Sequence, residues 1–220
     1  MTSGNNFQIL KEIILKRKAI RVFDRKKIPS VELEKVCQIA MCAPSWYGLE
    51  PWSVLVIADE RLKKLLFEPI NSQKQVINSS HLILIFAYKG EEFNWETENF
   101  KSKIFKKYGK MDEKKYKDFC QQKFFLFRPE NYQNITIWAK QQCFILLENF
   151  LLLLTSLNFA TSPMGGFQNK KVVSLLEKEN VIPHGKLTTS VVIAVGYPEN
   201  EAAWNKKWKK ISKKDYQIID

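Results

Sequence analysis

The 220-residue sequence is poor in metal and disulfide chemistry: its four cysteines, Cys37, Cys42, Cys120 and Cys143, form no C-x-x-C pair, and only two histidines, His81 and His184, are present. This argues against a zinc centre or a disulfide framework, and makes a reducing cytoplasm the expected compartment. G-x-G-x-x-G and G-x-x-x-x-G-K-[ST] are also missing, so neither a dinucleotide fingerprint nor a P-loop is available, and any bound phosphate must rely more on side chains. No run reaches the roughly 18 to 20 apolar residues that cross a bilayer. The nearest, FILLENFLLLLTSL at 144–157, is interrupted by Glu148 and Asn149, so a helix enclosed by protein, partly by a second subunit, is expected instead of a membrane partner. The opening MTSGNNFQILKEIILKRK lacks the uninterrupted apolar core and small-residue cleavage site of a signal peptide, and reads as a first helix. There is no internal repeat and no low-complexity linker.

What is abundant is positive charge and apolar surface. The 35 Lys+Arg against 23 Asp+Glu give a formal net charge of +12, which points to an anionic partner: nucleic acid, a membrane surface or a small phosphorylated molecule. The hydrophobic fraction of 45% is ordinary for a chain that buries a real core.

Phe7, Leu10, Ile13 and Ile14 recur at helical spacing before the basic segment KRKAIRVFDRKK. Ser30 is placed to cap a second helix whose apolar stripe is Leu33, Val36, Cys37 and Ala40, with Glu32 and Glu34 near its positive end and Pro44 helping to stop it. SVLVIA (53–58) reads as a strand, ERLKKLLF (60–67) as a short helix and LILIFAY (82–88) as a buried strand. A long helix is expected over about 137–158, a turn at SPMGGF (162–167), a short helix near 170–177 and a last strand at 188–197. The charged, aromatic segment 90–137 is expected to form helices outside the main core. The whole is one α/β or α+β domain over 1–220 with an inserted helical flap at about 90–137.

Several short stretches carry candidate chemistry beside a plainer reading. In RKAIR (17–21), Arg17 can present a planar fork to phosphate oxygens, or the run is a solvated basic helix end. Gly165 and Gly166 allow positive φ and close ligand approach to the backbone, or they form an ordinary turn. WNKKWKKISKK (204–214) either stacks on single-stranded nucleic acid or packs its rings while its lysines stay wet. In APSWYGLEPW (43–52), Trp46 and Tyr47 are bulky rings in a turn, where they gain little unless they cover something. His81, His184 and Cys143 read as structural, and Glu148 needs a partner within its apolar helix.

The order RKAIRVF, APS-x-x-x-x-x-PW before a strand, Trp138 and Gln142 in W-x-x-x-Q opening a long apolar helix, PMGGF and a final GYP resembles the nitroreductase family of FMN-dependent oxidoreductases. The resemblance implies an α+β nitroreductase-like fold: a central, mostly antiparallel sheet flanked by helices, in an intertwined homodimer with two FMN sites at the interface. By position it implies that Arg17, Lys18, Ala19 and Arg21 form a first FMN segment, Ala19 standing where the family usually has serine, and Arg21 lying near the pyrimidine edge of the ring. Pro44, Ser45 and Trp46 match the APS turn, while Gly48 and Glu50 replace the usual asparagine and glutamine. Asn71 and Lys74 fall in a segment that often contacts the flavin. Pro163, Met164, Gly165 and Gly166 match the loop over the flavin N5 edge, Gly165 replacing a glutamate seen in many relatives. Lys207 and Lys209 correspond to the terminal basic pair at the phosphate, with lysine replacing the common second arginine.

The implied activity is a two-step cycle in which NADPH or NADH reduces FMN and a nitroaromatic, quinone or other small planar electron-poor acceptor then takes the electrons in the same pocket. No catalytic side chain is assigned, because the flavin carries the chemistry. Relatives on this scaffold also carry out reductive dehalogenation, pteridine reduction or flavin fragmentation. A basic nucleic-acid-binding protein is the non-enzymatic alternative, and it predicts colourless material in place of yellow.

Overall fold

A computed structural model describes residues 3–125, 127–205 and 218. Helix α1 (Ser3–Lys16) leads to a short strand β1 (Phe23–Asp24) and to α2 (Ser30–Ala40). Strand β2 (Trp52–Ile57), helices α3 (Glu60–Phe67) and α4 (Lys74–Asn78) and strand β3 (His81–Tyr88) follow. Helices α5 (Glu98–Tyr108) and α6 (Glu113–Lys123) precede the long α7 (Tyr132–Ser156), strand β4 (Ala160–Met164), α8 (Asn169–Lys178) and strand β5 (Leu187–Pro198).

The strands form one antiparallel sheet in the order β1-β5-β3-β2, with β4 also on β5. The expected α+β architecture is therefore the observed one. The apolar runs of β3 and β5 are covered on both faces, and side-chain alternation divides them between two cores. Ile83, Ile85 and Ala87 join Val191, Ile193 and Val195 against α2 and α7, while Leu82, Leu84 and Phe86 join Val192 and Ala194 against α3, α4 and α8.

Helix α7 buries Ile135, Ala139, Cys143, Leu146, Phe150 and Leu154, at three- and four-residue spacing, against the sheet. Its other side is open: Ile137, Phe144 and Ile145 are exposed, as is Glu148, and α1 beside it exposes Phe7, Leu10 and Ile14. Glu148 thus reaches solvent in a single chain without needing a buried partner.

Four local expectations are corrected. Ser30 is the first residue of α2 and not its cap: Pro29 holds the cap position with no side-chain bond, its φ of −58° already suited to a helix start. Helix α7 begins at Tyr132, about a turn before the expected start. Ser162, Pro163 and Met164 are strand, not turn, because pairing with β5 overrides the local proline and glycine signals. Finally, Phe93, Phe100, Ile104, Tyr116, Cys120, Phe124 and Phe127 share one buried cluster with α7, so segment 90–137 packs into the main core.

Candidate active site

The first group of site residues lies at the outer edge of β4. Helix α1 ends at Lys16, whose Nζ bonds the Asn158 side chain just beyond α7. The chain then runs extended: Ala19 makes a parallel bridge with Thr161, and the Ile20 N–H donates to the Thr161 carbonyl at 2.9 Å. Arg17 and Arg21 are therefore spaced along an extended segment and not one helical turn apart. Lys18 Nζ donates to the Trp204 carbonyl, which brings the start of the tryptophan–lysine segment beside it. A cleft of about 340 Å³ opens there, lined by Lys18, Ala19, Arg21, Asn200 and Ala203 among others. Lys207 and Lys209 lie outside the described residues.

Two turns meet next to this edge. Asn71 and Ser72 take left-handed φ values of 53° and 50°, which point the following Gln73 across to the β4–α8 turn. Gln73 Nε2 donates to the Gly166 carbonyl at 2.9 Å, and the Gln168 N–H donates to the Pro69 carbonyl at 2.8 Å. Asn71 and Gly166 are thus neighbours, with exposed Lys74 opening α4 nearby. Pro163 is half-buried in β4, and the Met164 side chain is buried in the core. Neither Gly165 nor Gly166 is among the positive-φ glycines, so the left-handed freedom expected of them is not used. A Cβ at Gly165 would meet nothing within 4 Å, which leaves its backbone open to a ligand. Gly165→Ala is accordingly expected to change unfolding free energy by no more than about 0.5 kcal/mol in a denaturant titration.

The second group surrounds the turn after α2. The Trp46 N–H donates to Gln142 Oε1 at 2.9 Å, and the Glu50 N–H donates to Ser45 Oγ at 2.9 Å. Tyr47, Gly48 and Glu50 all have positive φ, at 51°, 58° and 46°, so this turn is strained at two residues that are not glycine. Pro44 is exposed at its entry, while Trp52, 3% exposed, anchors its exit in the core. Trp46 is 40% exposed and stacks on Phe127 with ring centroids 5.5 Å apart, while Trp138 meets Trp46 edge-on at 5.6 Å. These rings, with Ile135, Asn131, Asn134 and Gln142, line a cavity of about 510 Å³. An apolar wall with a few convergent amides suits a flat organic molecule. Asn131, Asn134 and Phe127 were not singled out from sequence; the run FFLFRPEN before α7 was the available signal.

The two groups stand apart in a single chain. Trp46 bonds Gln142, whereas Lys16 bonds Asn158 beyond the far end of the same helix, and the rise from Gln142 to Ser156 alone is about 21 Å at 1.5 Å per residue. Chemically the donor sets still suit the halves of a flavin mononucleotide. Arg17, Lys18, Arg21 and Lys74 supply cations for a phosphate and an electron-rich ring edge, Asn71, Gln73 and the open Gly165 backbone supply polar contacts, and Trp46 supplies an apolar face.

The other singled-out groups are structural. Cys143 is buried and its thiol is pushed up to about 11 by that burial. His81 is buried, its Nδ1 2.8 Å from Ser80 Oγ, and burial together with nearby Lys27 and Lys63 holds it below its ordinary value. His184 is exposed beside Glu177.

Comparison with known proteins places the family and the fold. The sequence matches the Nitroreductase family over residues 14–197. A Staphylococcus saprophyticus protein, provisionally named an NAD(P)H nitroreductase, is 31% identical over 191 residues, which is 84% of this chain and 86% of that protein. The fold superposes on the crystal structure of a provisionally named Bacillus subtilis nitroreductase with a TM-score of 0.78 and 16% identity, covering 97% of this chain and 100% of that one. A provisionally named nitroreductase of Exiguobacterium sibiricum, solved in complex with FMN, gives a TM-score of 0.72 at 19% identity over 96% of this chain and 97% of that one. With the match running from the end of α1 to the last strand, and the ordered motifs lying on the surfaces just described, this chain belongs to the nitroreductase family.

Proposed function

We propose that the protein is an FMN-dependent oxidoreductase that passes a hydride from NADPH or NADH, through FMN, to a small planar electron-poor acceptor of the nitroaromatic or quinone type, and that it works as a homodimer. The observation that carries this reading is the division of the site: a cation and amide group at the edge of β4, and an aromatic group about 20 Å away along α7. A second copy packed on the exposed apolar face of α1 and α7 completes each site by supplying the other half. Size measurement that finds an FMN-loaded monomer rejects the dimer.

Bound FMN supplies the two-electron chemistry. Arg17 and Lys18, with Lys207 and Lys209, neutralise its phosphate. Arg21 and Lys74 put positive charge near the pyrimidine edge, where it favours the electron-rich ring. Asn71 and the Gly165–Gly166 backbone hold the polar edge, and the Pro44–Ser45–Trp46–Gly48 turn lines a face. Phe127 and Trp138, whose rings stand nearly perpendicular to one another, would keep water from the acceptor.

Purified protein is expected to be yellow and to oxidise NADPH or NADH with a nitroaromatic or a quinone. Trp46→Ala is expected to raise KM for such acceptors about tenfold with a smaller effect on kcat, since one stacking face is worth roughly 0.5–1.5 kcal/mol. Colourless, well-folded material that takes up no FMN rejects the assignment, and net consumption of flavin in place of the acceptor identifies flavin fragmentation instead.

A further inference from the structure

The strained Tyr47–Glu50 turn is held from outside by α5. Lys103 Nζ donates to the Glu50 carbonyl at 2.6 Å and lies 4.8 Å from the centroid of the Tyr88 ring, half-buried between β3 and the turn. One helical turn on, Lys107 Nζ donates to the Tyr47 carbonyl and occupies the space a Cβ at Gly48 would need. Lys106 pairs with the Glu50 carboxylate at 3.6 Å. Three amines on one helix therefore hold Tyr47 and Glu50, the two non-glycine residues of this turn with left-handed φ.

From this geometry, and resting on the flavin-site reading above, we infer that Lys103 is a positioning residue: its ammonium fixes the Tyr47–Glu50 turn, and through it the flavin-facing wall at Trp46. Of the three lysines it is the one enclosed by protein, with a backbone carbonyl on one side and an aromatic face on the other. The charged groups facing it are the Glu50 carboxylate from the turn and Lys106 on its own helix, with the neutral Tyr88 phenol, held protonated by burial, on β3. Glu92, which acts on Tyr88, is itself paired with Lys186 at 3.6 Å.

This placement gives the grip a pH limit. Burial pulls the Lys103 ammonium down to about 8, with Glu50 opposing the shift and Lys106 adding to it. Above that pH the amine loses its attraction to the Glu50 carboxylate and to the Tyr88 ring, and the turn loosens. Global stability responds with the opposite sign. The folded value lies below the ordinary 10.5, so between the two the unfolded chain binds more protons, and this group's contribution to stability rises with pH. Weaker flavin retention without lower stability is therefore the signature of positioning.

The test measures FMN dissociation constants by quenching of flavin fluorescence, with thermal unfolding in parallel, for the wild type, Lys103→Met and Lys103→Arg. The wild type is expected to bind FMN about tenfold more weakly at pH 9.5 than at pH 7, as follows from losing one charge-assisted contact. Lys103→Met is expected to be about tenfold weaker already at pH 7 and flat above it, while Lys103→Arg, charged throughout, stays tight and flat. Wild-type affinity that is flat with pH, or Lys103→Met affinity equal to wild type, overturns the inference while leaving the flavin site standing. Wild type that takes up no FMN overturns the site reading and this inference with it. Should Lys103→Met fail to fold, an alkaline loss in the wild type that Lys103→Arg abolishes supports the inference, and one that Lys103→Arg retains overturns it.

Discussion

Replacing Arg17 and Lys207 together by alanine is expected to weaken FMN binding about a thousandfold, because each removes a charge-assisted phosphate contact of roughly 1.5–3 kcal/mol. The structure supports Arg17 through what surrounds it. Its N–H still bonds the Ile13 carbonyl at 3.0 Å at the end of α1, while the residues immediately after it are pinned along β4 by Ala19 and Ile20. The Arg17 backbone is therefore fixed, so ordering its guanidinium on a phosphate costs side-chain freedom but no backbone freedom. Lys18 ties this segment to Trp204, three positions before Lys207 in sequence. Equilibrium binding of FMN to the apoprotein measures the loss, and its dependence on salt should be shallower in the variant, since fewer charges are neutralised. Affinity within threefold of wild type would reject the phosphate assignment.

How far the sequence could be read depended on whether an element is specified locally. The apolar runs of β3 and β5 and the amphipathic ERLKKLLF helix carry their own signals, and they lie where those signals put them. Strand β4 does not: Pro163 and the following glycines read as a turn, and only registry with Ile193 and Val192 on β5 makes the segment a strand. Segment 90–137 announced helices through its charge pattern, yet Phe93, Phe100, Phe124 and Phe127 belong to the α7 core, a fact of tertiary packing that periodicity within the segment does not contain. The site divides in the same way. Ordered motifs such as RKAIR, APS and PMGGF were legible because they are contiguous. The grip of Lys103 on Glu50 joins residues 53 positions apart, and that of Lys107 on Tyr47 joins residues 60 apart, so neither leaves a mark in any local window.

Gly90→Ala is expected to destabilise the protein by about 3 kcal/mol and lower Tm by roughly 6–12 °C, unlike the neutral change at Gly165. The difference is what a methyl group would meet. At Gly90 a Cβ would stand 2.1 Å from the Tyr132 carbonyl oxygen and 2.6 Å from that residue's carbonyl carbon and Cα, all backbone atoms of the first turn of α7. No rotamer relieves such a contact. The Gly90 N–H also donates to Thr136 Oγ1 at 2.8 Å, and that hydroxyl donates in turn to the Tyr132 carbonyl at 2.8 Å, so the approach cannot widen without breaking a closed set of bonds. The start of α7 must shift or locally unwind, and it carries Asn131, Asn134 and Trp138 into the aromatic cavity. Thermal unfolding reads the stability loss. Steady-state kinetics below Tm should then give a lower kcat/KM for planar acceptors while FMN affinity, governed chiefly by the distant edge of β4, changes less. A Tm within about 2 °C of wild type would mean that the turn and helix separate freely, and that the cavity is not set by their contact.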